Sequence, residues 1–138
     1  MISVDIKSTL NSLNSKVLEI SKAVNRAIKV NGMEYARDLR QAVGLNKSRY
    51  RQYRRRGVVH WSSRPGHYPN TDTGWLKHSI FVTGIRNNAI FVKVTAKYAR
   101  KLEFGNGRVR ARPFATPIRN AKEKRFRIRI ANALNRVR

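Results

Sequence analysis

The sequence predicts an α+β fold: a long N-terminal helix, a small antiparallel sheet, a short helix and a C-terminal helix, with long basic loops between them. Three observations lead there. An apolar row steps by four and three from Ile6 to Ala27. Alternating apolar residues stand on both sides of Asn87-Asn88. Thr116-Pro117 opens a final segment rich in alanine, isoleucine and arginine.

The first element is predicted over residues 1–44. Ile6, Leu10, Leu13, Val17, Ile20, Val24 and Ala27 form one helical stripe. It drifts to Ile28, Gly32, Ala36, Leu39 and Val43, as a straight helix of period 3.6 requires. Asp5 suits the positive end of the helix dipole. Gly32 costs about 1 kcal/mol against alanine, so it marks either a kink or a close approach. Gly44 is a natural C-terminal cap. Core packing is the expected use of the stripe. The flanking charges lack the complementary pattern of a two-stranded coiled coil.

Residues 45–74 read as a basic loop or arm. Arg49, Arg51, Arg54, Arg55 and Arg56 interleave with Tyr50 and Tyr53, and Arg64 follows. Such a mixture stacks on bases and pairs with phosphates. Pro65-Gly66 and Pro69 impose an irregular path and hold Tyr68 extended. Thr71-Asp72-Thr73-Gly74 is a turn, with short side-chain oxygens for backbone donors and a glycine for backbone freedom.

Residues 75–115 hold the sheet and the short helix. From Trp75 a helical turn or strand leads to Ile80. The Asn87-Asn88 turn predicts an antiparallel pair, Ser79–Ile85 opposite Ala89–Thr95, with a third strand left open. Ala96–Phe104 reads as a short helix with Tyr98, Ala99 and Leu102 inward, and Gly105-Asn106-Gly107 opens a loop. In residues 116–138, Thr116 is the expected cap and Pro117 the first helical position. A helix there gathers Phe126, Ile130, Ala133, Leu134 and Val137 on one face. The run Arg125–Ile130 also alternates as a strand does, whereas Ala131 and Ala133 favour a helix.

A chain of 138 residues is expected to form one domain, 1–138. A hydrophobic content of 41% is too high for a disordered chain. There is no cysteine, so neither disulfides nor thiolate chemistry are available. The opening MISVDIKSTL lacks the apolar run of a signal peptide, and no stretch reaches membrane-span length, so a place in a cytoplasm or in a particle built there is expected. The net charge is +24 and uneven. Residues 45–65 hold seven basic side chains and no acid, and residues 108–138 hold eleven against one. Self-repulsion on this scale is relieved by a polyanion, so nucleic acid is the expected counterion, ahead of a merely solubilising surface or an anionic membrane. The residues expected to meet it are Arg49, Arg51, Arg54, Arg55, Arg56, Arg64, Arg108, Arg110 and Arg112.

No catalytic residue, metal ligand or cofactor is expected. His67, Asp72, His78 and Glu103 are the sharpest set for a metal-dependent nuclease, but two carboxylates some thirty residues apart lack a spaced motif that would converge them. The simpler expectation is that Asp72 caps a turn, Glu103 pairs with an arginine such as Arg112, and the histidines lie on the surface. The run GNGRVR lacks the ending of a phosphate-binding P-loop.

Two blocks carry a resemblance. The first holds Pro65-Gly66, Pro69, Asp72-Thr73-Gly74, Leu76 and Ser79-Ile80. The second holds Tyr98-Ala99, Leu102-Glu103-Phe104-Gly105 and Ala111-Arg112-Pro113-Phe114. In order and spacing they resemble the tail-completion, or head–tail connector, proteins of long-tailed bacteriophages. The likeness is close over roughly the last half of the chain. It implies a final helix, a long first helix packed across a small sheet, and a structural role in the neck of the virion. It implies as partners other neck and tail proteins (a connector or stopper, a tail terminator or tail tube), further copies of the chain in a ring, and phage DNA in the channel, with no membrane. It implies that Gly74 and Gly105 set turns, that Leu76, Tyr98, Leu102, Phe104 and Phe114 fill core, and that Arg112-Pro113 fixes the approach to the last helix. Trp75 and Asn106 depart from the residues the family often carries there. The competing expectation is a free, non-specific nucleic-acid-binding protein, which the charge and aromatics suit equally.

Overall fold

A computed structural model describes residues 6–45 and 48–137. The elements run α1 (Ile6–Ala42), β1 (Arg51–Arg55), β2 (Val58–Ser62), α2 (Trp75–His78), β3 (Ile80–Val82), β4 (Val92–Val94), α3 (Ala99–Phe104) and α4 (Thr116–Asn135). The fold is α+β, with a long first helix, a last helix and two small antiparallel sheets.

Helix α1 spans 37 residues, about 55 Å at 1.5 Å per residue. It ends as expected: Gly44 has φ of +93°, and its N–H donates to Pro69 O at 3.0 Å. Gly32 allows a close approach, because a Cβ there would lie 2.9 Å from the Ile90 side chain. Asp5, expected in the first turn, lies outside the described residues.

The stripe meets a different fate from the one expected. Only its C-terminal half enters the core, where Ala36, Leu39, Ala42 and Val43 pack with Leu76, Ile80, Ala96, Ala99, Phe114 and Ile118. Residues 6–20 are exposed throughout, Ile6, Leu10, Leu13 and Val17 among them. Helix α4 accompanies α1 from about Ala23 onward, and the apolar row of the first four turns stays exposed.

The β3–β4 pair has the expected register, with Ile80 opposite Val94 and Val82 opposite Val92. Asn87 and Asn88 both take positive φ, 49° and 55°, and close the hairpin between Arg86 and Ala89. The ladder is shorter than expected, because Gly84 and Ile85 together stand opposite Ile90 and break the pairing.

The expected arm contains a hairpin. β1 and β2 pair antiparallel around Arg56-Gly57, whose φ values of 49° and 78° make a tight turn. Period-two patterning was masked because arginines occupy both faces of β1.

Helix α4 resolves the 125–130 ambiguity as helix, with Phe126, Ile130, Ala133 and Val137 half-buried. Its start differs from the expected threonine cap. Thr116 lies inside the helix and Ala115 is at the cap position without a side-chain bond of its own. Phe104, expected in the core, is 73% exposed. Its neighbour Glu103 points inward, and one residue turns a helix by about 100°. Tyr98 is likewise mostly at the surface, whereas Leu76 and Phe114 are buried and Leu102 is half-buried.

Candidate nucleic-acid interface

The hairpin has two faces. Tyr53, Arg55, His60 and Ser62 line the side toward the body. Gln52, Arg54, Val59 and Trp61 alternate onto the other side. Tyr53 stacks on His60 with ring centroids 5.5 Å apart. Asp72 ties this ribbon down: Arg55 Nη1 donates to its Oδ2 at 3.0 Å, and His60 Nδ1 lies 2.8 Å from its Oδ1. Burial and the nearby Asp72 charge push the Tyr53 phenol up. Asp72 was expected to cap a turn. Thr73 does that instead, its hydroxyl accepting from Trp75 N–H at 3.4 Å.

Arg49 sits over the Trp61 ring at 5.8 Å and Arg51 over the Tyr50 ring at 5.6 Å. Such stacking keeps a guanidinium's edge available to phosphate while its face covers apolar surface.

The two basic blocks, distant in sequence, meet in space. Gly66 N–H donates to Ala111 O at 2.8 Å, and Arg112 Nε donates to Ser63 O at 3.0 Å. Arg64 and Arg110 thereby belong to neighbouring strands of chain. Asn106 shapes the second loop: its Oδ1 accepts from Arg108 N–H at 3.1 Å and Val109 N–H at 2.7 Å. Gly105 has φ of +73°, and a Cβ there would lie 2.9 Å from Val109 O. Trp75 is exposed and lines a cleft of about 290 Å³ with Tyr53 and Tyr98 under the hairpin.

Of the nine expected arginines, Arg49, Arg51, Arg54, Arg55, Arg56, Arg64, Arg108 and Arg110 are exposed, and Arg112 is half-buried. Arg55 and Arg112 are drawn into internal bonds, with Asp72 and with the Ser63 and Arg110 carbonyls. Both fix the hairpin and the loop to the body.

The residues weighed as a nuclease set do not converge. Glu103 is buried and accepts from the N–H groups of Phe114 at 2.8 Å, Ala115 at 2.9 Å and Thr116 at 2.8 Å. It caps α4 from α3 rather than pairing with Arg112. Asp72 is held by Arg55 and His60, while His67 and His78 are exposed. His60 is not the surface residue expected of it, being half-buried against Asp72. No pattern in the sequence signalled that pairing. Among the described residues no group of three or more His, Asp or Glu side chains is placed to hold a metal ion. No helix among them is long and apolar enough to cross a membrane.

Comparison with protein families, curated proteins and solved structures finds no match to this chain.

Proposed function

We propose that this chain is a structural protein of the bacteriophage neck, completing the tail and joining it to the DNA-filled head, with its basic hairpin and 105–112 loop beside the genome in an oligomeric ring. Its place is then the virion, assembled in the host cytoplasm. The observation that carries the reading is the junction of the two sequence blocks. The Pro65-Gly66 block and the Ala111-Arg112 block are joined by the Gly66–Ala111 bond and by the bond from Arg112 to Ser63 just before the first block, which sets the basic hairpin, with its exposed arginines, beside exposed Arg108 and Arg110 of the second block. The motif residues therefore have architectural work in common. Gly74 takes φ of +76° ahead of α2, Glu103 holds α4, and Leu76 and Phe114 fill the core.

A surface of this kind engages phosphates without reading bases. Contacts to six to ten phosphates lose roughly 10³–10⁵ in affinity between 50 and 200 mM salt. Filter binding to unrelated duplexes is expected to show that slope with little sequence preference, and a salt-independent affinity refutes the DNA-facing assignment.

The deciding test is electron microscopy of particles from a phage lacking the gene. DNA-filled heads and finished tails lying apart are the expected result. Normal infectious virions overturn the neck assignment and leave the free nucleic-acid binder, which the same arginine surface supports.

A further inference from the structure

We infer that the N-terminal half of α1 is a self-association element, pairing along Ile6, Leu10, Leu13, Val17, Ile20 and Val24 with the same row of a second copy of this chain. The inference does not depend on the neck assignment.

The helix itself demands a partner. Residues 6–20 are helical and exposed at every position. These residues continue a helix already nucleated by its packed half, but they are rich in serine and asparagine, which favour caps and turns, so intrinsic propensity adds little to hold them helical. Its apolar row is exposed by 68% at Ile6, 52% at Leu10, 53% at Leu13, 64% at Val17 and 36% at Ile20.

The spacing identifies the kind of partner. The steps run four, three, four, three, four, three from Ile6 to Ala27, a strict seven-residue repeat of the kind that forms the narrow seam between two helices. At Ala27, which is 6% exposed, the row passes into the intramolecular core beside α4. The same seam thus has cover from α4 from about Ala23 onward, and its residues from Ile6 to Ile20 are exposed.

Charge identifies the partner as another copy. A protein of net charge +24 repels itself over most of its surface. Residues 8–15 carry no charge at all, and Lys16, Glu19 and Lys22 nearly balance beyond them. The positions beside the seam are Lys7, Thr9, Asn14, Lys16 and Ser21. In a parallel, in-register pair Thr9 meets Asn14 and Lys16 meets Ser21, so no like charges oppose. The lack of complementary charges that argued against a coiled coil in sequence is the condition that lets this basic chain meet itself. An acidic partner has little to grip on a hydroxyl- and amide-rich face, and a membrane-surface helix would carry aromatic and basic flanks.

Pairing two such rows buries on the order of 1,000–1,200 Å², the lower end for a specific interface, so association is expected to be concentration-dependent.

Sedimentation equilibrium of the full chain in high salt, at concentrations from about 1 to 200 μM, reads the proposal. The expected result is reversible self-association, with α-helical circular dichroism rising alongside it. Leu13→Lys with Val17→Lys is expected to weaken association at least tenfold. Ser15→Lys, which adds charge on the opposite side of the helix, is expected to change it less than threefold. Thermal unfolding of the variants as dilute monomers checks that the body stays folded, since both altered sites are exposed. A monomer at every concentration overturns the proposal, as does association that survives the Leu13/Val17 change. Binding of a monomeric chain to zwitterionic lipid vesicles, lost with that change, overturns it in favour of a membrane surface.

Discussion

Glu103 holds three backbone N–H groups at the start of α4, so its substitution tests whether one side chain sets the position of the last helix. The donors are Phe114, Ala115 and Thr116, all at 2.8–2.9 Å. Phe114 is 2% exposed, so its N–H cannot turn to water when the carboxylate is removed. A net charge-assisted bond is worth about 1.5–3 kcal/mol, a buried orphaned donor costs about 1–3, and loss of an ordinary cap costs about 1. The other two donors are half-buried and recover part of their loss through hydration. Glu103→Ala is therefore expected to destabilise the chain by about 3 kcal/mol. Glu103→Gln keeps an acceptor but not the charge, and is expected to cost about half that. At about 3–4 °C per kcal/mol for a domain of this size, the alanine variant should melt about 10 °C lower. The pH dependence carries the same signature. Burial pushes the Glu103 carboxyl up, but bonds from Ala115, Thr116 and Phe114 outweigh it, and the net direction is downward. A lowered folded value means that the stabilisation is complete above the unfolded value of about 4.3 and is lost as pH falls through the folded one. Urea unfolding followed by circular dichroism should show the gap between wild type and Glu103→Gln full at pH 6 and closing below about pH 4. An alanine variant within 0.5 kcal/mol of wild type at pH 6 refutes the reasoning.

Three further outcomes follow from the same geometry. Asp72→Ala unties Arg55 and His60 from the body, so tryptic cleavage within β1–β2 should accelerate several-fold while global stability falls by only about 1 kcal/mol, the scale of an exposed ion pair; equal losses in both would place Asp72 in the core instead. Gly32→Ala should cost about 1 kcal/mol in the native chain because the new Cβ meets Ile90. In an Ile90→Ala background the same change should stabilise by up to about 1 kcal/mol through helix propensity, and a double-mutant cycle in urea reads the sign reversal. Added salt should raise the melting temperature by screening the +24 charge while it weakens DNA binding, and a melting temperature that falls between 50 and 300 mM sodium chloride contradicts the self-repulsion argument.

The parts of the fold legible in sequence are those whose cause is local. Asn87-Asn88 specifies its own positive-φ turn, Gly44 its own cap, and the four-and-three row its own helix. The hairpin at 51–62 was hidden because strand patterning is read from burial, and a ribbon with arginine on both faces has almost none. The fate of the first helix was hidden for the opposite reason. An apolar stripe states that something covers it, not whether the cover comes from the same chain. Within the site, the arginines were legible one by one. That the segments carrying Arg64 and Arg110 meet was not, since it depends on the Gly66–Ala111 and Arg112–Ser63 bonds between residues about fifty apart. The role of Glu103 was legible only as an acid with a job, because its three partners are backbone groups that any sequence supplies.

The placement of the acids explains how so basic a chain holds together and why its surface stays uncompensated. Glu34, 9% exposed on α1, is met by Arg129 at 2.7 Å and by Lys122 and Arg125 at 3.3 Å from α4. The Arg129 bond is the largest influence holding its carboxyl below the ordinary value. Asp38 lies 2.8 Å from the same Lys122, and its carboxyl too ends below the usual value, with burial outweighed by Lys122 and Arg37. Asp72 joins the hairpin to the body and Glu103 joins α3 to α4. Four of the seven acids thus sit at junctions between elements, where each neutralises or orders groups that would otherwise drive the pieces apart. Among the described residues, the arginines of the hairpin and the 105–112 loop make one ion pair, Arg55 with Asp72, which also lies beside His60. A fold that places its few negative charges at internal joints leaves its positive surface to be neutralised from outside. That arrangement fits the polyanion-facing role proposed for it.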